Sequence, residues 1–291
     1  MKLRGKLCSE SIFHVFNTLL MLFIVVVMLY PFWYVLVCSF SSLYHVQNST
    51  FILLPDGIHL DAYAQLFRND MIPKAYMNTI IVTVCGTALS ITLTILGAFC
   101  LSRKNLPGRT GMTLFVVFTM LFNGGLIPTY LVVRNLGMLN SLKSLIFPTA
   151  ISTYNMIILR NFFSSVPDAL QEAAIIDGAN QRTYLLRILL PLSGAAIATI
   201  TLFYAVDYWN AYFYSLIYIN KRSLLPMQAI LRQALMTSEF DTMMYDDGIM
   251  NLPSEMLKDA MIVVTALPII CIYPFVQRFF VKGVMVGSFK G

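Results

Sequence analysis

The sequence predicts an all-α membrane protein with six transmembrane helices. Of its 291 residues, 58% are hydrophobic and only 12% are charged, whereas soluble proteins contain about 25% charged residues. Apolar runs of about 20 residues, the length that crosses a bilayer as a helix, recur along the chain. Because water cannot solvate such a surface, we expect one membrane domain over residues 1–291, with its core at about 75–281.

Five segments qualify as membrane spans by length and apolarity, and a sixth is weaker because Pro148 and several hydroxyl groups interrupt it. Bundle interiors tolerate such a break where neighbouring helices satisfy the freed backbone groups. The first span is too long for the apolar part of a signal peptide and is followed by no small-residue cleavage site, so we expect it to be retained. The predicted spans are Phe13–Val37, Asn78–Leu101, Met112–Val133, Ser144–Phe163, Leu192–Ile219 and Ala260–Phe280.

Basic residues set the predicted orientation, because cytoplasmic loops near span ends are enriched in Lys and Arg. An N-terminus inside the cell places 12 of the 20 Lys and Arg residues on the cytoplasmic side. Both termini are therefore predicted to be cytoplasmic. The 12 residues are Lys2, Arg4, Lys6, Arg103, Lys104, Arg109, Arg160, Arg182, Arg187, Arg278, Lys282 and Lys290.

Two long segments, about 39–77 and 220–259, are predicted to lie outside the cell. The second includes a predicted short helix at Met227–Met236 and an acidic stretch around Asp246 and Asp247. Each segment is either a solvated tether or a docking surface for an extracellular partner, and the sequence leaves both readings open.

The five cysteines and three histidines are scattered along the chain, so we predict no metal site and no catalytic residue. The chain also contains no G-x4-G-K-S/T phosphate loop, the sequence whose backbone cradles the phosphates of ATP. We therefore expect the chain not to be an enzyme, and any ATP hydrolysis to occur in separate subunits.

The segment 164–191 follows four predicted crossings and is therefore expected in the cytoplasm. Ser165 is a predicted helix cap, and the helix is expected to run to Asp177 because Gly178 supplies a left-handed stop. A second helix is predicted from about Gln181 to Pro191.

Two adjacent alanines, Ala173 and Ala174, are predicted on the exposed side of the first of these helices. Small side chains allow a partner surface to approach the backbone closely. Glu172 adds a fixed charge beside them. A surface helix hairpin without a partner is the alternative that composition alone allows.

A spaced motif runs through this segment: Glu172-Ala173-Ala174, three residues, Gly178, nine residues, then Ile188-x-Leu190-Pro191. It matches every fixed position of the EAA motif, and the chain resembles the permease subunits of binding-protein-dependent ABC importers with the MetI-like fold. Three further stretches resemble the carbohydrate-uptake branch related to the maltose permease, within it most closely the permeases for complex or polysaccharide-derived oligosaccharides. They are Asn123–Phe163, Trp209–Ile219 and Phe280–Gly291.

The resemblance implies a mechanical role for the motif helix, which in the family docks in a groove of the ATPase and transmits its closure to the spans. It also implies partners: a second permease in a heterodimer, two ATPase subunits that bind ATP and Mg, an extracellular sugar-binding protein, and an oligosaccharide substrate. No cofactor is expected in this chain, which would lie in the bacterial plasma membrane. The resemblance assigns the coupling role to Glu172, Ala173, Ala174, Asp177, Gly178, Leu190 and Pro191.

Polar side chains within spans are costly and usually face the bundle interior. Sugars are bound by hydrogen bonds together with stacking on aromatic rings, so a set of Asn, Asp, Tyr and Trp residues suits a sugar path. Hydrogen bonding between helices is the alternative for each of them. The candidates are Asn123, Tyr154, Asn155, Asp207, Trp209 and Asn210. Asn123, together with Gly124, Gly125 and Pro128, is also expected to break the third span near mid-membrane.

Other functions remain open from the residues alone. An ABC permease for an amino acid or peptide would share the same fold. An ion-coupled secondary transporter would use Asp207 as its coupling carboxylate and need no ATPase. A membrane scaffold would contact no ATPase at all.

Overall fold

The computed structural model describes residues 2–48, 52–68, 70–236 and 254–288. Within these ranges every regular element is helical, which confirms the all-α prediction. Backbone contacts divide the chain into two compact units: Met1–Asn69 with Ala234–Ala266, and Asp70–Gln233 with Leu267–Gly291.

The first unit contains one long helix, two short ones and the first part of a fourth. The apolar part of the long helix, Phe13–Phe40, has 28 residues, and at 1.5 Å per residue it spans about 42 Å. Its end is fixed by Ser39, whose hydroxyl is 2.7 Å from that of Tyr63. The helices are α1 (Lys2–Phe40), α2 (Leu43–Asn48), α3 (Asp61–Arg68) and the first part of α15 (Ser254–Ser288).

The second unit holds the remaining helices and the last part of α15. They are α4 (Met71–Ser102), α5 (Arg109–Leu121), α6 (Leu126–Asn135), α7 (Lys143–Ile146), α8 (Thr153–Ser165), α9 (Asp168–Ile176), α10 (Gln181–Tyr184), a π-helical turn (Leu185–Leu189), α11 (Leu190–Leu192), α12 (Gly194–Trp209), α13 (Phe213–Tyr218), a 3₁₀ turn (Arg222–Leu224) and α14 (Met227–Met236). The predicted helix at Met227–Met236 is confirmed, whereas Asp246 and Asp247 lie outside the described residues.

Three described helices are long and apolar enough to cross a membrane: Phe13–Phe40, Met71–Ser102 and Glu255–Pro274. The number rises to five if two sharply bent helix pairs each count as one span. One pair, α5 and α6, is bent by 109° and covers the predicted span Met112–Val133. The bend lies at Gly125, whose φ of 88° favours glycine.

Two other predicted spans are also divided. Ser144–Phe163 comprises α7 and the 13-residue α8, with an irregular turn between them where Pro148 lies. Leu192–Ile219 is wrong as a single helix, because α12 starts after Ser193 and ends at Trp209. The preceding helical segment, Gln181–Leu192, is bent by 83° from α12.

The centre of the second unit is the packing of α4 against α12 and α8. A Cβ on Gly86 would lie 2.7 Å from the ring of Tyr208, so the absence of a side chain allows this close approach. Buried hydroxyl pairs add to it: Ser90 with Tyr208 at 2.9 Å, and Thr94 with Tyr204 at 2.7 Å. The two tyrosines are four residues apart on α12 and therefore share one face.

Candidate functional site

The motif helix α9 begins differently from the sequence prediction. Ser165 does not cap it, because its hydroxyl donates to the carbonyl of Phe162 at 2.8 Å. Pro167 precedes the first helical residue and makes no side-chain cap. Asp168 lies in the first turn, where the positive end of the helix dipole favours a carboxylate.

The end of α9 is as predicted. Gly178 has a φ of 76°, and its N–H donates to the carbonyl of Ile175 at 2.9 Å. The N–H of Ala179 donates to the carbonyl of Ala174 at 2.8 Å. This pair of bonds is the Schellman arrangement, which requires a left-handed residue and so favours glycine. Asp177 is the last residue before that turn.

A second helical segment returns toward α12. The side chain of Asn180 accepts hydrogen bonds from the Thr183 N–H at 2.8 Å and the Thr183 hydroxyl at 3.0 Å, which starts α10. Leu190 and Pro191 lie in the last turn before the 83° bend. Since Pro191 has no N–H and crowds the preceding turn, a π-helical turn directly before α11 fits its position.

The two alanines of the motif face opposite environments, contrary to the expectation that both are exposed. Ala173 is exposed, whereas Ala174 is only 5% exposed and lies in an apolar cluster with Leu101 and Phe163. Adjacent residues on a helix point about 100° apart, so one of them can seat the helix while the other faces outward. The other members of the cluster are Ala98, Met156, Leu159, Tyr184, Leu185 and Leu189.

The outward face of α9 is apolar with one acid. Leu170, Ile175 and Ile176 are exposed, Ile176 at 85%, and Glu172 is exposed beside Ala173. Isoleucines on a short helix, held in place on its other side, form an unpartnered apolar surface of the kind that marks an interaction site.

Polar contacts join α9 to the loop after α4, and the sequence reasoning missed their roles. The guanidinium of Arg103 donates to the side chain of Gln171 and lies 4.1 Å from the ring centre of Phe99 and 4.7 Å from that of Tyr184. Burial lowers the pKa of Arg103 from its ordinary value, while Tyr184 acts in the opposite direction. Sequence reasoning used Arg103 only for orientation, because its contacts with Gln171 and Tyr184 join residues far apart in the chain.

Next to this stack, Lys104 and Asp168 form an ion pair at 2.6 Å. Both side chains are more than half exposed. Exposed pairs of this kind contribute little to stability, typically less than about 1 kcal/mol. Arg103 and Lys104 are therefore neighbours in sequence with contacts of very different character.

Four of the six residues predicted for a sugar path line one cavity of about 640 Å³ in the second unit. They are Tyr154, Asn155, Asp207 and Trp209. Tyr154 is 56% exposed, whereas Asn155 is 3% exposed and offers little surface. Trp209 is also buried and packs edge-on against Tyr76 at 5.8 Å.

A second cavity of about 450 Å³ also includes Asp207, together with Asn210 and four tyrosines of the α12–α13 region. The Asn210 side chain accepts a hydrogen bond from Gln228 at 3.2 Å. Neither cavity is lined by a described lysine or arginine. Asp207, exposed in this chain, is thus the charged group that the two cavities share.

Asn123 lines neither of these cavities. Its side-chain oxygen accepts a hydrogen bond from the N–H of Gly125 at 2.9 Å, which stabilises the break between α5 and α6. The prediction that the chain breaks there is confirmed, but the contact found for Asn123 is local and structural.

Comparison with known proteins gives a consistent group of relatives. The chain is 45% identical over 279 residues to the polygalacturonan/rhamnogalacturonan transport system permease protein YtcP of Bacillus subtilis, covering 95% of this chain and 97% of that protein. It is 26% identical over 277 residues to the trehalose/maltose transport system permease protein MalG of Thermococcus litoralis, covering 91% and 93% of the two chains. No family model matches the chain.

A solved structure agrees with these relatives. A chain of a bacterial ABC transporter involved in the import of the acidic polysaccharide alginate superposes with a TM-score of 0.87 at 33% sequence identity. The match covers 94% of this chain and 98% of that one.

Proposed function

The chain belongs to the permease subunits of ABC sugar importers, and from this premise we propose that it forms one half of a pathway that carries oligosaccharides into a bacterial cell. The relative named for polygalacturonan and rhamnogalacturonan transport, together with the alginate importer, favours polysaccharide fragments as substrates. Movement would follow alternating access, driven by ATP hydrolysis in other subunits.

The observation that carries this proposal is the division of α9 into two faces. One face is fixed by Ala174 in the core of the chain, and the other presents Glu172, Ala173 and Ile176 outward. A helix with one face packed in the core and the other face exposed can bind a partner and transmit that partner's movement to the spans. We assign its outward face to the ATPase, with Asp177 and Gly178 setting the turn and Leu190 and Pro191 leading into α12.

We further propose six membrane crossings with both termini in the cytoplasm and the segment 164–191 on the same side. In this arrangement, the bent pair of α5 and α6 contributes one crossing, and α12, which follows the cytoplasmic α10–α11 segment, contributes another. The irregular turn at Pro148 together with α8 contributes the sixth. The whole chain, 1–291, would then be one permease domain despite its two compact units.

The partners follow from the family. A second permease subunit completes the pathway, two ATPase subunits bind ATP and Mg, and an extracellular binding protein delivers the sugar. One solved relative of the same fold is an alginate transporter in complex with a periplasmic protein bound to an alginate pentasaccharide. This chain itself would need no cofactor and perform no catalysis.

For the substrate path we propose the surface around Asp207, because it is shared by both cavities. Tyr154 offers a partly exposed ring, and Asn210 offers an amide at the second cavity. Asn155 and Trp209 would shape the cavity wall from their buried positions. Asn123, which lies outside both cavities, would stabilise the helix break and not contact the sugar.

The coupling role is tested by Glu172→Lys and Gly178→Asp in the complete transporter reconstituted in vesicles. Both variants should insert normally and lose uptake, because the first reverses a contact charge and the second places a side chain at a positive-φ position on the docking element. Gly137→Asp is the matched control, since Gly137 also has a positive φ, 66°, with open space around it.

Three outcomes decide the test. Loss of uptake in the two α9 variants, with Gly137→Asp retaining it, supports the assignment. Normal sugar uptake and normal ATPase stimulation in both α9 variants would contradict it. Equal loss in Gly178→Asp and Gly137→Asp, with Glu172→Lys retaining uptake, would also contradict it, because backbone strain at a positive-φ position would then explain the loss.

A further inference from the structure

We propose that Arg103 is a positioning residue that joins α9 to the end of α4, so that a displacement of α9 reaches α4 as well as α12. This inference rests on the proposed docking of α9 and adds a second route for the motion. The covalent route runs from α9 through α10 and α11 to the bend at Ser193 and into α12.

The second route runs through side chains. Arg103 follows the last residue of α4, and its guanidinium donates to Gln171 on α9. The same group is stacked on Phe99, one turn earlier on α4, and on Tyr184 of α10. One side chain therefore contacts three helices.

The chemistry of this position is specific to arginine. A guanidinium is planar, so it can stack on aromatic rings while its edge donates hydrogen bonds, whereas a lysine ammonium is a compact point charge. No carboxylate among the described residues forms an ion pair with Arg103. The stack and the Gln171 bond are thus the contacts that fix its geometry.

A displacement of α4 would be transmitted to α12, because the two helices are packed closely. Ser90 and Thr94 of α4 form buried hydroxyl pairs with Tyr208 and Tyr204 of α12, and Gly86 lies against the Tyr208 ring. Helices packed this closely move together more readily than they slide past one another. The two routes from α9 therefore converge on a single α4–α12 pair.

Lys104 provides a matched control. It is adjacent to Arg103 and also contacts α9, through Asp168 at 2.6 Å, but the pair is exposed. If any positive charge near α9 were sufficient, Lys104→Ala and Arg103→Ala would have similar effects. If the stacked guanidinium is required, only Arg103→Ala will matter.

The experiment uses the complete transporter in proteoliposomes, with ATPase subunits, binding protein and a polygalacturonate-derived oligosaccharide that the wild type imports. For each variant, three quantities are measured: co-purified ATPase per permease, basal ATP hydrolysis, and hydrolysis stimulated by the sugar-loaded binding protein. Arg103→Ala should retain bound ATPase and basal hydrolysis, but lose at least about fivefold in stimulation, the lower end of usual coupling factors.

Two further variants distinguish positioning from folding. Arg103→Lys should fail to restore stimulation, and Lys104→Ala should remain within about twofold of the wild type. Gln171→Ala, a milder change, should reduce stimulation without affecting assembly, and should add little in combination with Arg103→Ala.

Full stimulation in Arg103→Ala, or restoration by Arg103→Lys, would overturn the inference. Loss of stimulation only in proportion to lost permease or lost bound ATPase would also overturn it, since that result describes a folding role. If Glu172→Lys abolishes uptake while Arg103→Ala keeps full stimulation of ATP hydrolysis, this inference fails alone. If neither variant has an effect, the docking of α9 fails with it.

Discussion

The coupling segment around α9 and the cavity region around Asp207 are built in different ways. The first is a run of neighbouring residues whose shape follows from local hydrogen bonds: the Gly178 turn and the Asn180 cap. The second combines residues of α8 and α12 that are about 50 positions apart and meet only through packing. Local rules therefore predict the first region well, and the second depends on the tertiary fold.

The difference extends to individual side chains. Ala173 and Ala174 are adjacent and chemically identical, yet one faces outward and the other is buried. In the cavity region the reverse occurs: Asp207 and Tyr154 are distant in sequence and line the same space. Variants that change one of the two regions at a time test this difference.

The largest effect is expected from Ala174→Asp. A carboxylate beside Leu101 and Phe163 would be buried without a partner, which costs about 3–5 kcal/mol, so the amount of folded protein in the membrane should fall sharply. Ala173→Asp is the control, because the same charge on the outward face should leave folding intact and weaken ATPase binding. Expression and thermal unfolding in detergent measure the first effect, and co-purification of the ATPase measures the second.

The packing of α4 on α12 gives the next largest effect. Gly86→Val would place atoms against the Tyr208 ring, where a Cβ alone would lie at 2.7 Å, and overpacking of this kind costs about 1–3 kcal/mol. The midpoint temperature of thermal unfolding of Gly86→Val in detergent should therefore be lower than that of the wild type. Gly111→Val on α5 should not lower it, since no atom lies within 4 Å of that Cβ position. Equal midpoints for the two variants would contradict the close approach.

A smaller effect is expected at the start of α10. Asn180→Ala removes the side chain that accepts from Thr183, and the loss of such a cap costs about 1 kcal/mol. Amide hydrogen exchange across residues 180–185 should become faster. Asn180→Asp keeps an acceptor oxygen and should restore slow exchange, so an aspartate variant as fast as the alanine variant would rule out the cap.

The smallest effect belongs to the cavity. Asp207→Asn keeps the shape of the side chain and removes its charge, which should raise the sugar concentration for half-maximal uptake about threefold, or less than 1 kcal/mol. Asn123→Ala, a residue outside both cavities, should not change that concentration. If the asparagine variant matches the wild type while Asn123→Ala does not, the path lies elsewhere.

Much of the fold was accessible from sequence because its signals are local. The apolar runs gave α1, α4 and α15, and Gly178 gave the end of α9. The bends were less accessible: Pro148 and Gly125 were visible as breaks, but the 109° and 83° angles depend on how the adjoining helices pack. Within the predicted span Leu192–Ile219, α12 ends at Trp209 and α13 starts at Phe213, an interruption that the apolar run does not reveal.

The candidate site shows the same contrast between features with local signals and features that depend on tertiary packing. The EAA spacing indicates the residues that we propose for coupling, but only the structure shows that Ala174 faces inward. Sequence reasoning missed the contacts of Arg103 with Gln171 and Tyr184, because these residues lie up to 81 positions apart and no motif connects them. The polarity of Asn123 in an apolar run does not reveal that its side chain accepts a hydrogen bond from the nearby Gly125 N–H.

The most direct test of the account is a cysteine placed at Ala173, after the five native cysteines are replaced. In vesicles with the full transporter, it should crosslink to the ATPase subunit and react with a membrane-impermeant thiol reagent only from the cytoplasmic face. A cysteine at Ala174 should do neither. Reaction of the Ala173 site from the outer face, or no crosslink while the ATPase is bound, would contradict the account.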